Sequence, residues 1–177
     1  MRIVTNIHPQ LKDADQVASV ARYFLRGVIL ANRLLIRAGL VPPLYKSGVR
    51  YRPEPWPSTC EKCGAKNAPH CNRCERCNSN KLERVEEFAD ALTVLGRGWG
   101  DCDDLAPWRA AELQEQGDAK ADCKISWKVR CRNCAFRVVD RTKPCPRCRS
   151  MRRFRVFHVT TRRGDGRVED PSQYLGM

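Results

Sequence analysis

The chain has 177 residues, enough for one domain or for one domain carrying inserts, and its 42% hydrophobic content supports a real core. A mean hydropathy of -0.57, with no run of about 18 uncharged apolar residues, excludes a transmembrane helix. The net charge of +13 is uneven: residues 131–155 hold nine Arg or Lys against one Asp, a block that suits an anionic partner or a solvated surface.

The opening Met1-Arg2-Ile3-Val4-Thr5-Asn6 lacks the basic-then-apolar shape of a signal peptide, so synthesis in a reducing cytosol is the expectation. Residues 13–39 read as a long helix, with Asp13 or Asp15 near its start and Gly39 as its stop before Pro42-Pro43. Val17, Val20, Ala21, Phe24, Val28, Ala31, Leu34, Leu35 and Ala38 follow helical spacing. Arg22, Arg26, Arg33 and Arg37 fall within about 60° of one another and form a basic stripe opposite much of that face. Such a helix covers the domain or docks on a partner. Tyr45 to Arg52 is expected as a strand between prolines, with Lys46, Arg50 and Arg52 giving it a wet face.

Eleven cysteines are too many for core packing alone. Cys60, Cys63, Cys74 and Cys77 are spaced two, ten and two residues apart, and Cys131, Cys134, Cys145 and Cys148 repeat that spacing. Paired C-x-x-C turns can deliver four thiolates tetrahedrally to a metal, so both modules read as zinc ribbons with one structural Zn2+ each. Cys71 could replace Cys77 by pairing with Cys74, a register the second module argues against, and His70 is a further possible ligand. Disulfides are the rival for all eight and fit poorly with a reducing compartment. Each module is short, so metal binding would supply much of its folding free energy, on the order of 10 kcal/mol.

Lys81 to Leu95 reads as the next helix, with Val85, Phe88, Ala89, Leu92 and Leu95 on one face and Gly96 as its stop. Gly98-Trp99-Gly100-Asp101-Cys102-Asp103-Asp104 follows, and Leu105 to Gln116 continues as a helix closed by Gly117. Asp101 suits the N-cap and Asp104 completes a variant capping box, which puts Cys102 at the first helical position. The helix dipole there favours thiolate, while the carboxylates of Asp101, Asp103 and Asp104 oppose it. Gly98 and Gly100 allow a tight turn. Pro107 lies in the first turn and a half, where proline is more easily accommodated.

Ile125 to Arg130 alternates like a half-buried strand, and Cys123 before it reads as a packed thiol. Phe154 to Thr161 is the next strand and bears His158. Asp165-Gly166 reads as a hairpin turn that would carry Asp170 back beside His158. A cysteine on a helix N-terminus, a histidine on a strand and a carboxylate on the next strand form a nucleophile, base and orienter.

Gly100-Asp101-Cys102-Asp103-Asp104-Leu105-Ala106, then Leu113 and Gly117, then the His158 strand and Asp170-Pro171-Ser172, resemble the catalytic core of the transglutaminase-like cysteine hydrolases. The resemblance is greatest to short phage-encoded members that end in a histidine strand, an Asp-Pro-Ser segment and a Leu-Gly-Met tail. It covers residues 81–122 and 154–177, with the Leu44–Tyr51 stretch as an addition. It implies an α+β transglutaminase-like or papain-like core of helices packed on a small antiparallel sheet, with two zinc-ribbon inserts. It also implies Cys102 as nucleophile, His158 as base and Asp170 as orienter.

The expected organisation is therefore core residues 1–59, ribbon 60–77, the nucleophile region 78–130, ribbon 131–148 and the His/Asp strands 149–177. The expected chemistry is peptide or isopeptide acyl transfer, with the Cys102 backbone N–H and the Trp99 indole as candidate oxyanion donors, although Trp99 could instead pack over the site. A protein of this kind would be made in the host cytoplasm and could enter the phage particle, with other virion proteins as partners. One rival is a catalytically idle virion connector on the same fold. Another is nucleic-acid binding through the basic ribbons, against which Phe136 stands as their sole aromatic.

Overall fold

In a computed structural model the chain is mixed α+β, and the structure describes residues 2–6, 14–53, 58–67, 73–79, 82–83, 85–131, 133–134, 138, 142–151 and 153–177. Elements are numbered in chain order. The centre of the fold is α3 (Cys102–Glu115), in which Asp103, Asp104, Leu105, Ala106, Trp108, Ala110, Ala111 and Leu113 are all buried. Ala106, Ala110 and Ala111 give it a low surface that lets neighbours approach closely. On one side α1 (Ala14–Arg37) lays Ala21, Leu25, Val28 and Ile29 into a cluster shared with Cys102, Ala106, Ala110 and Ala111. On another side lies an antiparallel sheet of β8 (Asp122–Cys131), β9 (Arg153–Arg162) and β10 (Val168–Glu169), ordered β10-β9-β8. The Thr161 hydroxyl on β9 donates to the Ala106 carbonyl at 2.9 Å, which fixes the sheet's height on the helix.

The α1 helix forms where expected, but its buried face is rotated. Leu25 and Ile29 are buried, whereas Val20, Leu34 and Ala38 are exposed. Apolar residues surround most of this helix, so spacing alone could not select the face that meets α3. The basic stripe is not a free surface along its whole length. Arg33 and Arg37 turn onto α3 and share the Glu115 carboxylate at 2.5 and 2.7 Å, and Arg26 approaches Asp122 at 4.0 Å.

Two expected elements are corrected. In place of a helix over Lys81–Leu95, β5 (Leu82–Glu83) and β6 (Val85–Ala89) are extended, and α2 begins only at Ala91 and runs to Arg97. The Asp90 carboxylate accepts from the Thr93 N–H at 2.9 Å, so Asp90 is the N-cap, and the residues before an N-cap leave the helical region. Their hydrogen bonds go instead to β1 (Arg2–Asn6), antiparallel with Arg2 opposite Ala89 and Asn6 opposite Val85. The helix stops at Gly98, with φ 76°, not at Gly96.

The expected strand over Tyr45–Arg52 is mostly absent. Leu44–Lys46 form a 3-10 turn, Gly48 has φ 77°, and only β2 (Arg50–Tyr51) is extended, parallel to β7 (Trp99–Gly100). A Ser47 hydroxyl that donates to the Leu44 carbonyl at 2.6 Å gives this backbone a turn in place of a ladder. Asp122–Cys131 and Arg153–Arg162 extend the two expected strands, and the Asp165-Gly166 turn forms, with Gly166 at φ 88°.

Candidate catalytic site and metal centres

Cys102 is the first residue of α3. Asp101 caps the helix, and the Asp104 carboxylate accepts from the Asp101 N–H at 3.3 Å, as the capping-box spacing requires. Asp104 also accepts from the Ala89 N–H at 2.8 Å and from Arg97. Arg97 is the tie that holds this turn: its Nε donates to the Trp99 carbonyl at 2.7 Å and its Nη1 to Glu87 at 3.0 Å. A Cβ on Gly100 would lie 3.0 Å from Val94 and 3.1 Å from Leu105, so a side chain there would have to push both neighbours back by a few tenths of an ångström. Arg97, in the last turn of α2, carries no local signal in the sequence, because its partners Glu87 and Asp104 lie on other elements.

The acidic residues around Cys102 are buried, not solvated. Burial, followed by the neighbouring Asp101 charge, raises Asp103 well above the ordinary carboxylate range. One Asp103 oxygen has no hydrogen-bond partner. The Cys102 charge adds to that shift, so thiolate at Cys102 and carboxylate at Asp103 oppose each other.

His158 and Asp170 come together as their order in the chain implies. The His158 Nε2 lies 2.8 Å from the Asp170 carboxylate, with the imidazole 4% exposed as a residue. Asp170 also caps α4 (Pro171–Tyr174), accepting from the Gln173 N–H at 3.4 Å. Its neighbour Glu169 accepts from Arg109 on α3 at 2.8 Å and from Arg163, which ties the end of β10 to α3. Tyr45 packs against this group: its ring is 5.1 Å from the Arg109 guanidinium, and burial with the Glu169 charge pushes its phenol up to about 12.

With Nε2 engaged by Asp170, Nδ1 is the nitrogen left to accept a proton. Cys102 is 9% exposed and shares its core cluster with Val159, which with Thr161 lies on the α3 side of β9; the described hydrogen bonds of His158, one residue earlier, go to Asp170 and Ser126 and not to Cys102. Trp99 is half-buried, its ring 4.0 Å from the Arg97 guanidinium and 5.5 Å from that of Arg52. Cys123 is buried in the same cluster as Cys102, and burial raises its thiol well above the ordinary range, as befits a packed residue.

The eight cysteines form two groups. Within Cys60, Cys63, Cys74 and Cys77, and within Cys131, Cys134, Cys145 and Cys148, all sulfurs lie within 4.8 Å of one another. The closest pairs are 3.4 and 3.5 Å apart in the first group and 3.4 and 3.6 Å in the second. Four thiolates at about 2.3 Å from a tetrahedral ion have edges of about 3.8 Å, whereas a disulfide needs about 2.05 Å, so both groups fit a metal ion. The alternative ligands Cys71 and His70 lie outside the described residues, as does Phe136, and the register uses Cys74 with Cys77.

Among the described residues three knuckles repeat one local structure. Gly64, Asn78 and Arg149 follow the second cysteine with φ of 68°, 56° and 57°. Their N–H groups donate back to the carbonyls of Cys60, Cys74 and Cys145 at 2.8, 2.8 and 2.7 Å. In such a turn successive amides point at the first sulfur. Although burial pushes Cys74 up, the N–H groups of Cys77 and Arg76 bring it down to about 6. In the same way burial is overcome by the N–H groups of Asn133 and Cys134 at Cys131, also at about 6. Thiolate, the ligating form, is thus favoured at these two cysteines, whereas, despite the Ala65 and Ser150 N–H groups, burial and the neighbouring sulfurs push Cys63 and Cys148 up to about 12. The first group lies in a small sheet of β3 (Ser58–Cys60), β4 (Lys66–Asn67) and β5, and the second follows the end of β8.

Comparison of the chain with protein-family models, with curated proteins and with solved structures finds no match.

Proposed function

We propose that the chain is a transglutaminase-like cysteine hydrolase of the phage-encoded kind, acting on a peptide or isopeptide bond, with zinc as a structural ion in both four-cysteine groups. The observation that carries this reading is the 2.8 Å contact between His158 and Asp170, closed across a hairpin beside a helix that begins with Cys102. His158 Nδ1 takes the Cys102 proton, and the thiolate adds to the carbonyl carbon. The carbon–nitrogen bond then breaks, the amine leaves with the proton from His158, and an acyl thioester remains. Water attacks that thioester, giving its proton to His158, and the acid and free thiol are released. The Cys102 N–H, and the Trp99 indole if it turns inward, serve the oxyanion. Four-thiolate sites with no open position hold zinc for structure, not for reaction.

The reading extends to synthesis in the host cytoplasm and to contacts with other virion proteins. The basic composition of residues 131–155 suits an acidic protein, a nucleic acid or a wall polymer. The 9% exposure of Cys102 favours a second reading, a catalytically idle connector that keeps the fold and the zinc. Iodoacetamide labelling between pH 6 and 9, followed by peptide mass, separates the two. The hydrolase reading expects Cys102 to label well before Cys123 and to slow at least tenfold in His158→Ala. Equal labelling in both proteins leaves the connector.

A further inference from the structure

The long helix α1 is apolar on more sides than its own fold uses. At about 100° per residue, Ala21, Leu25, Val28 and Ile29 point into the core. On the far side, Tyr23, Leu30 and Leu34 are 78%, 60% and 65% exposed, and Val20 continues the row. Val20, Tyr23, Gly27, Leu30 and Leu34 are spaced three and four residues apart, the heptad seam that accepts a second helix. Gly27 sits in the middle of this seam, where glycine weakens a helix relative to alanine. Among the described residues none requires it: a Cβ there would meet no atom within 4 Å. The glycine leaves a notch between Tyr23 and Leu30 that a side chain from a docked helix would fill.

Beside the seam lies an open groove of about 570 Å³. Arg26 and Leu30 of α1 form one wall, and Lys120, Asp122 and Arg162 are among the residues opposite. Three cations against one carboxylate make the groove basic. The +13 charge of the chain disfavours a second copy as occupant, since Arg22 and Arg26 would meet their equivalents. A membrane surface would need neither the notch nor the groove.

We infer that the outer face of α1 is a docking site for an acidic amphipathic helix of another protein, which seats a side chain over Gly27 and its carboxylates against Arg26, Lys120 and Arg162. The inference is independent of Cys102 and its chemistry.

The test uses the full chain and two fluorescein-labelled 21-residue helical peptides, each with leucine at heptad positions a and d. One carries glutamate at e and g and the other lysine. In 50 mM salt, anisotropy should show the acidic peptide binding at least tenfold more tightly. The preference should shrink by 200 mM salt. Leu30→Ser with Leu34→Ser should weaken binding tenfold or more with the fold intact, because both residues are exposed. Gly27→Leu should also weaken binding tenfold while raising the thermal midpoint, opposite signs that a role in folding alone would not produce. Equal affinity for the two peptides, no binding of either, or Gly27→Leu binding as well as the parent overturns the inference. So does a dimer in solution that Leu30→Ser dissociates, or displacement of the acidic peptide by anionic phospholipid vesicles.

Discussion

Asp170 performs two tasks with one carboxylate, and two substitutions separate them. One oxygen accepts from the Gln173 N–H as the N-cap of α4, and the other meets His158 Nε2 at 2.8 Å. Alanine removes both. A lost N-cap costs about 1 kcal/mol. A buried hydrogen bond contributes about 1 kcal/mol more, with little discount because the Asp170 side chain is only 17% exposed. At about 2–4 °C per kcal/mol for a chain of this size, Asp170→Ala should lower the thermal midpoint by roughly 4–8 °C. Asparagine keeps the cap, so Asp170→Asn should cost only about half as much. Its amide, however, presents N–H to Nε2, and the pair survives only if the imidazole proton moves to Nδ1. That tautomer cannot accept from Cys102. Asp170→Asn should therefore be the more stable of the two yet label at Cys102 as slowly as His158→Ala, at least tenfold below the parent. Scanning calorimetry and timed iodoacetamide labelling read the two effects. Parental labelling of Asp170→Asn would refute the orienting role, and identical midpoints for the two variants would refute the capping role.

The fold and the metal groups yield further expectations. Elemental analysis should find two zinc ions per chain and one in Cys74→Ser; a different metal or no loss in the variant would remove zinc from the account. Asp103 is raised in the fold by burial and by Asp101, so its contribution to stability is complete below its unfolded pKa, about 3.9, and is lost as pH rises. Asp103→Asn should therefore raise the thermal midpoint by about 2–4 °C at pH 7 and by much less at pH 4, and calorimetry at the two pH values checks the sign. Gly100→Ala forces a Cβ against Val94 and Leu105 and should cost about 1–3 kcal/mol, whereas Gly96→Ala in α2 meets nothing and should stabilise by up to about 1 kcal/mol. Urea unfolding of the pair distinguishes a packed turn from a merely flexible one.

The parts legible in the sequence are those whose signal is local. The capping residues Asp101 and Asp104, the knuckle cysteines and the Asp165-Gly166 turn are each read within a few positions, and the structure forms all of them. No helix spans Lys81–Leu95 because its apolar spacing fits a helix equally well as a strand buried on both sides, and the strand's partner β1 lies at the far end of the sequence, with Asn6 opposite Val85 and Arg2 opposite Ala89. The Asp90 cap was the available sign. Arg97, Arg109 and Glu169 were invisible for a related reason: each acts by pairing with buried charge on another element, and only the folded chain defines those pairs.

The second four-cysteine group and His158 belong to one strand pair, which makes the two groups unequal. Cys131 ends β8 opposite Arg153, and five pairs further along the same ladder Ser126 faces His158, about 17 Å away. A slip of one residue in this ladder would turn His158 to the opposite face of the sheet. Closing the hairpin tip through Cys131, Cys134, Cys145 and Cys148 holds the register at the end where the connection is longest. The first group, in contrast, is set on a separate sheet of β3, β4 and β5. Cys145→Ser should therefore slow Cys102 labelling several-fold, in proportion to the population of slipped or frayed hairpin, while Cys74→Ser should leave it within about twofold of the parent. Hydrogen exchange at Ser126 and Val159 supplies a readout that does not depend on the thiol. Faster exchange there in Cys74→Ser, or none in Cys145→Ser, would show that the second four-cysteine group does not act through the strand that carries His158.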